Sequence, residues 1–308
     1  MPITLLVTAD PASSYLQPLD KLPRDTNVIV STDRDRLFEA APSADVLLHA
    51  DFRIPKLFLE TFPRATHLKW AHVAGAGVEG VLSPDVKSSP VPLTNGRGVF
   101  ARPLGEWSIG VMVYFAYELR RIINQQQAGI WERYDHEELY GRTVAIVGYG
   151  SIGRAVGERA AAFGMRVLAS RRSEPGDLSA MLAECDYLVI TAPLTPETRG
   201  MIGAAQIARM KPAAVIINVG RGAVVDEAAL IDALRNRRIR GAALDVFAVE
   251  PLPAGHPFWS MENVLVSPHA ADSLPNSREL ALEFFVENFT RFRKGEPLQN
   301  IVDKHAGY

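Results

Sequence analysis

Three side chains with complementary chemistry occur in order along the second half of the chain: Arg221, Glu250 and His269. Each follows an apolar run that is typical of a buried parallel strand. Because ligands bind at the carboxyl ends of the strands in an open parallel sheet, we expect the three side chains to meet at one edge of such a sheet. A guanidinium, a carboxylate and an imidazole gathered there can hold a carboxylate substrate and transfer a proton beside it.

The composition limits the class of protein to which the chain can belong. Its 308 residues suggest about two domains, and 47% hydrophobic with 22% charged residues is ordinary for a globular protein. A formal net charge of −2 argues against general nucleic-acid binding, which requires a basic surface. Cys185 is the single cysteine, which excludes an intrachain disulfide and a cysteine metal cluster. We therefore expect neither a metal site nor a nucleic-acid partner.

The sequence also predicts where the protein works. Residues 1–7 lack the basic stretch and long apolar core of a signal peptide, and no apolar run is long enough to span a bilayer. A single cysteine fits a reducing compartment. These features predict a cytoplasmic protein with no membrane partner.

Strand-like and helix-like segments alternate through the first hundred residues, which predicts a parallel α/β sheet. The predicted strands are 3–8, 27–31, 45–50, 68–73 and 91–94, and the predicted helices are 34–41 and 56–62. An amphipathic helical stretch follows at residues 103–129. We interpret this stretch as the connector between two domains.

A second α/β set begins at Thr143 and continues almost to the end of the chain. Its six predicted strands are 143–147, 166–170, 187–190, 214–219, 242–246 and 264–267. Six parallel strands with intervening helices are typical of a dinucleotide-binding sheet. A final helix, at about residues 277–294, carries apolar side chains at helical spacing, so most of them are predicted to face a core.

A G-x-G-x-x-G motif, formed by Gly148, Gly150 and Gly153, lies between the first strand of this set and a predicted helix. In that context the glycines permit a tight turn, close approach of a pyrophosphate and close packing of the helix on the strand. The helix N-terminus offers N–H groups to the diphosphate. The residues predicted to contact the cofactor here are Gly148, Tyr149, Gly150, Ser151, Ile152 and Gly153. The alternative is a glycine-rich turn without a ligand.

The next strand bears on the choice of cofactor, because it ends in Ser170-Arg171-Arg172-Ser173. An NAD site normally has Asp or Glu about 20 residues beyond the first glycine, whereas this chain has no carboxylate until Glu174. Two guanidinium groups and a serine hydroxyl can instead bind a 2′-phosphate. This pattern favours NADP, with NAD as the alternative cofactor. The other interpretation is a solvated arginine pair at a loop tip.

These motifs, together with Pro193-Leu194-Thr195-Pro196-Glu197-Thr198-Arg199-Gly200, resemble the D-2-hydroxyacid dehydrogenase family from about residue 68 to the end. The resemblance implies a two-lobed α/β protein. Its Rossmann coenzyme domain would comprise residues 101–284, and a discontinuous, flavodoxin-like substrate domain would comprise residues 1–100 and 285–308. The resemblance also implies a cleft between the two lobes.

The resemblance assigns roles to the first trio. Arg221 would bind the substrate carboxylate, His269 would be the acid/base that also contacts cofactor and substrate, and Glu250 would orient the imidazole. The chemistry of the side chains agrees, because imidazole titrates near ~6.5 and guanidinium matches a carboxylate. Considered singly, each residue has another interpretation: a loop histidine, a turn glutamate, or an arginine that binds only the cofactor.

Further contacts are implied by the same resemblance. Main-chain N–H groups of Ala76 and Gly77, in a glycine-rich loop, would bind the substrate carboxylate. Asp245 would bond the nicotinamide carboxamide. The remaining expected cofactor contacts are Thr191, Ala192, Pro193, Val219 and Gly220. The family loop often has Ser before the glycine and Asp after it, where this chain has Ala76 and Glu79.

The function implied is NADPH-dependent reduction of a small 2-keto acid, such as glyoxylate or hydroxypyruvate, to the D-2-hydroxy acid. A short phosphoglycerate dehydrogenase is a second enzymatic interpretation. An NAD(P)-sensing, corepressor-like binding protein on the same scaffold is the alternative outside enzymology. A homodimer is expected through the apolar segment 107–117, unless that segment is buried within its own domain.

Overall fold

The computed structural model describes residues 2–51, 53–171 and 176–308. The chain forms two compact units, one of Met1–Phe100 and Leu274–Tyr308 and one of Ala101–Ser273. The sequence placed the return to the first unit at residue 285, which lies inside a continuous helix, Ser277–Lys294. Because a continuous helix packs as one body, the whole of it goes with the first unit and the boundary comes earlier.

The secondary structure of the described residues is as follows. The strands are β1 (Ile3–Thr8), β2 (Thr26–Ser31), β3 (Val46–His49), β4 (Trp70–Val73), β5 (Leu93–Asn95), β6 (Thr143–Val147), β7 (Arg166–Ser170), β8 (Tyr187–Ile190), β9 (Val215–Asn218), β10 (Gly241–Leu244) and β11 (Val264–Val266). The α-helices are α1 (Arg34–Ala40), α2 (Pro55–Thr61), α3 (Pro84–Ser88), α4 (Ala101–Ala116), α5 (Leu119–Ala128), α6 (Ser151–Ala162), α7 (Leu178–Glu184), α8 (Ala204–Ile207), α9 (Glu227–Arg235) and α10 (Ser277–Lys294). Short 3-10 helices occupy Ser14–Lys21, Ala41–Ser43, Phe62–Arg64, Glu79–Val81, Gly222–Val224 and Pro257–Trp259.

The first unit is built on a five-stranded parallel sheet in the order β2-β1-β3-β4-β5. This is the flavodoxin-like strand order. The central strands are buried on both faces because they are continuous apolar runs. Helix α10 covers part of one face, where the Phe285 ring stacks on the buried Trp70 ring at a centroid distance of 5.1 Å. The predicted apolar face of the final helix is therefore confirmed.

The second unit is built on a six-stranded parallel sheet in the order β11-β10-β9-β8-β6-β7. The strand order reverses between β6 and β8, and ligands of doubly wound sheets bind outside the carboxyl ends at such a switch point. Two strands lie on one side of this point and four on the other, whereas the usual Rossmann order has three on each side. The predicted α/β fold with a dinucleotide-binding domain is confirmed.

The helical stretch predicted at 103–129 is two helices, because the chain bends at Glu118, which has a left-handed φ of 50°. Helix α4 belongs to the second unit and packs closely on α6. A Cβ on Gly105 would lie 3.1 Å from the main chain of Ala155, so glycine permits this approach. Most apolar side chains of α4 are buried there. This burial agrees with the alternative that segment 107–117 is buried within its own domain.

No helix among the described residues is both long enough and apolar enough to cross a membrane.

Candidate active site

The glycine motif forms a tight turn between β6 and α6. Gly148 has a φ of 99°, and a Cβ there would lie 2.6 Å from the backbone nitrogen of Ala192. A Cβ on Gly153 would lie 2.5 Å from the Gly148 carbonyl oxygen. The Thr191 hydroxyl donates a hydrogen bond to that same oxygen at 2.5 Å. Both glycines are thus required by close contacts within the turn.

Gly150 differs from the other two glycines of the motif, because a Cβ at this position would meet no heavy atom within 4 Å. The space in front of it therefore remains open. Gly150 is also the N-cap of α6, whose first-turn N–H groups have no acceptor within the helix. An open space beside helix N–H groups fits a diphosphate, which binds there through hydrogen bonds and the helix dipole. The turn therefore suits the dinucleotide predicted for it.

Two other predicted cofactor contacts in this turn have defined surroundings. The Tyr149 ring lies against α6, since a Cβ on Gly157 would be 2.8 Å from the Tyr149 hydroxyl oxygen. Ser151 and Ile152 form the first turn of that helix and are half-buried. The Tyr149 ring therefore supports the helix.

The end of β7 lies beside the glycine turn. The Ser170 carbonyl accepts hydrogen bonds from the N–H groups of Gly148 and Tyr149, at 3.0 and 2.9 Å. Arg171 follows directly and is exposed. Arg172 and Ser173 lie outside the described residues. Arg171 therefore directly follows Ser170, the residue whose carbonyl is hydrogen-bonded to the glycine turn proposed for the diphosphate.

The segments after β8 and β9 are in contact with each other. Val219 donates its N–H to the Ile190 carbonyl at 3.1 Å. A Cβ on Gly220 would lie 2.9 Å from the Ala192 carbonyl oxygen. The Pro193 carbonyl accepts a 2.6 Å hydrogen bond from the Thr198 hydroxyl, which closes the turn that follows β8. The two segments that carry these predicted cofactor contacts therefore pack against each other at the carboxyl ends of β8 and β9.

His269 and Glu250 form a direct pair at this edge. The distance from Nδ1 of His269 to Oε2 of Glu250 is 2.7 Å. The other carboxylate oxygen of Glu250 accepts the N–H of Phe247 at 2.9 Å, which fixes its orientation. The imidazole is 47% exposed, so its second nitrogen remains accessible for proton transfer. Two of the three predicted chemical side chains are thus brought together.

Arg221 lies in the neighbouring loop, between two glycines. Its guanidinium donates to the Gly220 carbonyl at 2.8 Å, and Asn218 bonds both the Gly220 N–H and the Arg221 carbonyl. A Cβ on Gly222 would overlap the main chain of Phe247. The loop that carries Arg221 therefore packs directly on the loop that leads to Glu250.

Asp245 holds the turn that presents His269. One of its carboxylate oxygens accepts hydrogen bonds from the Ser267 hydroxyl at 2.6 Å and from the N–H groups of Ala270 and Ala271 at 2.8 and 3.0 Å. Its carbonyl accepts the His269 N–H at 2.9 Å. This arrangement was not predicted from the sequence, which marked Asp245 only for the nicotinamide carboxamide. Two features of the sequence could have indicated these hydrogen bonds. Asp245 directly follows the buried strand β10, and the turn that follows β11 contains no glycine.

A third carboxylate of the site, Asp272, was not predicted from the sequence. It is half-buried and follows His269 by three positions. Burial raises the pKa of the Asp272 carboxyl above its ordinary value of 3.8, while the positive charges of His269 and Arg221 oppose that rise.

Among the described residues, no group of His, Cys, Asp or Glu side chains is arranged to hold a metal ion.

The glycine-rich loop of the first unit follows β4. The Gly96 N–H bonds the carbonyls of Val73 and Gly75, and the Asn95 amide donates to the Ala76 carbonyl at 2.6 Å. A Cβ on Gly96 would overlap the Ala74 carbonyl oxygen. The loop is thus held through its carbonyl groups by the chain that leaves β5. Ala76 and Gly77, the predicted substrate donors, are half-buried.

A dinucleotide turn, a histidine–carboxylate pair and an arginine at one sheet edge define the site of a nicotinamide-dependent oxidoreductase. Comparison with known proteins identifies the family. The sequence profile described as "D-isomer specific 2-hydroxyacid dehydrogenase, NAD binding domain" matches residues 109–271. Glyoxylate reductase of Korarchaeum cryptofilum is 34% identical over 264 residues, which are 80% of this chain and 80% of the relative.

Solved structures extend the similarity to the whole chain. NADPH-dependent glyoxylate/hydroxypyruvate reductase of Sinorhizobium meliloti, in complex with NADP and sulfate, is 28% identical with a TM-score of 0.85 and covers 100% of both chains. D-isomer specific 2-hydroxyacid dehydrogenase of Xanthobacter autotrophicus Py2, in complex with NADPH and MES, is 32% identical with a TM-score of 0.82 and covers 98% of this chain and 100% of that one. The chain belongs to the D-2-hydroxyacid dehydrogenase family, and it is an NAD(P)-dependent oxidoreductase.

Proposed function

We propose that this enzyme reduces a small 2-keto acid of the glyoxylate or hydroxypyruvate type to the D-2-hydroxy acid, and that NADPH is its preferred cofactor. The observation that carries the proposal is the 2.7 Å pair between His269 and Glu250, at the same sheet edge as the glycine turn. The names of the relatives from K. cryptofilum and S. meliloti support the substrate class.

In the proposed reaction His269 donates the proton. Glu250 accepts a hydrogen bond from Nδ1, which leaves Nε2 as the nitrogen that gives its proton to the carbonyl oxygen of the substrate. When bound, the reduced nicotinamide supplies the hydride. The carboxylate partner stabilises the imidazolium in the reductive direction and keeps the ring in one orientation. General acid catalysis of this kind typically contributes roughly 10²–10⁴-fold.

Arg221 binds the substrate carboxylate in this proposal. Its planar guanidinium offers two parallel donors, and its loop is fixed by Asn218 and by close packing on Phe247. A held carboxylate turns the carbonyl carbon in one direction, and correct orientation is a large part of catalysis. The N–H groups of Ala76 and Gly77 are proposed as further donors to the substrate, and the segment Thr191–Pro193 is proposed to contact the nucleotide.

The preference for NADPH is supported by Arg171, which is exposed at the end of β7 where an NAD enzyme would carry a carboxylate. The related structures solved with NADP or NADPH agree. NAD is the alternative cofactor. A cytoplasmic location remains part of the proposal, supported by the single cysteine.

A homodimer is also part of the proposal, but the surface that supports it is not the one predicted at 107–117. Helix α5 has no buried residue, and the segment after it carries Trp131, which is 99% exposed. Ile122, Ile123 and Ile130 are exposed as well. Exposed apolar patches of this kind mark protein interfaces. Light scattering should return about twice the 33.7 kDa mass of the chain. The double substitution I130S/W131S should lower the measured mass toward that of a single chain.

The test of the proposed function is a panel of 2-keto acids assayed with NADPH and with NADH by absorbance. We expect turnover of glyoxylate and hydroxypyruvate, with NADPH preferred. Binding of NADPH without turnover of any acid in the panel would favour the alternative, a nucleotide-sensing binding protein.

A further inference from the structure

We propose that Glu227 is a positioning residue for the reaction: it holds the loop that carries Glu250, and through Glu250 it fixes the orientation of His269. The inference rests on the proposed function, in which His269 donates the proton to the substrate. Glu227 is the first residue of helix α9, and it touches neither the imidazole nor its carboxylate partner directly. Its effect on the reaction is therefore transmitted by the loop.

Glu250 lies on an exposed loop beyond the end of β10. Residues 248–250 are all exposed. The Phe247 N–H binds one oxygen of Glu250 at 2.9 Å, which fixes the carboxylate relative to its own loop. The other oxygen lies 2.7 Å from Nδ1 of His269. The length of this pair therefore depends on where the backbone of the loop lies.

The connection between β9 and α9 holds this loop at two adjacent residues. Gly222 packs on the main chain of Phe247, which a Cβ at position 222 would overlap. One residue further along, the N–H of Ala248 donates a hydrogen bond to Oε1 of Glu227 at 2.8 Å. A hydrogen bond to a carboxylate is stronger than one between neutral groups. Glu227 therefore restrains the loop at the point where it reaches the surface.

The surroundings of Glu227 suit it to this task. It lies in the first turn of α9, where the helix dipole favours a carboxylate. Its side chain is 22% exposed, so its position is restricted by neighbouring atoms. Oε2 lies 3.9 Å from Nε2 of His256, which is beyond hydrogen-bond distance. The bond from Ala248 to Oε1 is thus the contact that joins this side chain to the loop.

Loss of the bond to Ala248 should let residues 248–250 shift, and the carboxylate of Glu250 shifts with them. The 2.7 Å pair with His269 then lengthens, and the imidazole is no longer held in one orientation. A misplacement of about 1 Å can cost about 10²-fold in rate. Because Gly222 still packs on the preceding residue, we expect a smaller loss of about tenfold.

The test compares the parent enzyme with E227A, E227Q and D226A in glyoxylate reduction at saturating NADPH. E227A should lower kcat about tenfold and change the KM for glyoxylate by less than about threefold, because Arg221 still binds the carboxylate. E227Q keeps an acceptor oxygen and should restore most of kcat. D226A removes the N-cap of the same helix and should leave kcat near the parent value. A kcat in E227A within about twofold of the parent, or an equal loss in D226A, would overturn the proposal.

A second measurement follows the pair of His269 and Glu250 without turnover. In protein labelled with ¹⁵N-histidine, the Nδ1 signal of His269 is assigned by its absence in H269N, and E250A gives the signal of a ring without its partner. E227A should move the signal toward its position in E250A, whereas E227Q and D226A should keep the parent position. A signal in E227A that matches the parent refutes the role of Glu227, even if the parent reduces glyoxylate. Absence of parent turnover refutes the proposed function and leaves this signal to decide the role of Glu227.

Discussion

Asp245 bonds the backbone of His269, and this contact fixes a histidine in a left-handed conformation. The Asp245 carbonyl accepts the His269 N–H at 2.9 Å, and His269 has a φ of 51°. Non-glycine residues adopt such a φ at a cost, so the surrounding bonds must determine it. The Asp245 side chain supplies those bonds through the next two N–H groups. The orientation of the proposed acid thus depends on a carboxylate from the neighbouring strand.

Replacement of Asp245 by Ala should destabilise the second unit and reduce catalysis together. Three donors lose their acceptor, two of them main-chain N–H groups, and each buried unsatisfied donor costs ~1–3 kcal/mol. Only the N–H of Ala271 is buried among the three, so we expect a loss of roughly 1–3 kcal/mol in the free energy of unfolding, measured with urea, and a lower kcat for glyoxylate. Asp226→Ala is the matched control, since it removes the N-cap of α9 and should cost about 1 kcal/mol without changing kcat. An equal kcat in both variants would contradict the positioning role.

His269→Asn should abolish most reductase activity while NADPH still binds. Asparagine tolerates the left-handed backbone of this position, so the turn should survive the substitution. The side chain can no longer donate a proton, and kcat should fall roughly 10²–10⁴-fold. His256→Asn, which removes an imidazole paired with Glu227, should leave kcat near the parent value. A His269→Asn enzyme that keeps most of its kcat would exclude the acid role.

The sequence predicts the parts of the site that obey local rules. Strands β1, β6, β7 and β8 and helix α10 have the predicted bounds, because continuous apolar runs and helical spacing are local signals. The glycine turn was also predictable, because the spacing of its glycines and its position between a strand and a helix indicate its geometry. The bend at Glu118 was not, because nothing in the residue type announces a left-handed φ. The sequence marked Asp245 for the cofactor but did not predict its hydrogen bonds to the turn of His269, and it did not mark Asp272, because contacts between neighbouring strand ends are not specified by sequence order alone.

Arg221→Lys tests whether substrate binding depends on the planar pair of guanidinium donors as well as on the positive charge. Lysine keeps the charge but offers no planar pair of donors. We expect a KM for glyoxylate raised at least tenfold in Arg221→Ala, and an intermediate value in Arg221→Lys. A lower kcat should accompany both changes, because orientation of the carbonyl suffers. The measurement is steady-state kinetics at saturating NADPH. An unchanged kcat/KM in Arg221→Ala would remove Arg221 from substrate binding.

Arg171→Ala should weaken NADPH far more than NADH. Only NADPH carries the 2′-phosphate, and a hydrogen bond to a charged group is worth roughly 1.5–3 kcal/mol. The parent should therefore prefer NADPH by at least about tenfold in kcat/KM, and the variant should lose most of that preference. Arg171 is exposed, so added salt should erode the preference as well. Arg235→Ala, at an exposed position of α9, is the control for a general charge effect. Equal use of both cofactors by the parent would refute the arginine interpretation.

The first unit should lose stability in acid because it buries two neutral histidines. Burial lowers the pKa of His72 to about 3 and that of His49 to about 4. Nδ1 of His72 is hydrogen-bonded to the Thr94 hydroxyl at 2.7 Å, and that hydroxyl also accepts the indole N–H of Trp70. Nε2 lies near the rings of Phe284 and Phe285 and has no hydrogen-bond partner among the residues that the structure describes. Protonation of His72 would therefore place an unsolvated charge in the core.

The sign of the pH dependence follows from these two lowered pKa values. In the unfolded chain each imidazole binds a proton below about 6.5, whereas the folded unit does not, so acid favours unfolding. Stability should be fully present above pH ~6.5 and should fall, by up to about 1.4 kcal/mol per pH unit for each histidine, as the pH approaches the folded pKa values. Urea unfolding of the full chain at pH 7, 6 and 5 measures this slope. His72→Gln should make the slope shallower, and the same substitution at the exposed His67 should not. A slope that is the same in His72→Gln and in the parent would show that His72 does not contribute to the loss of stability in acid.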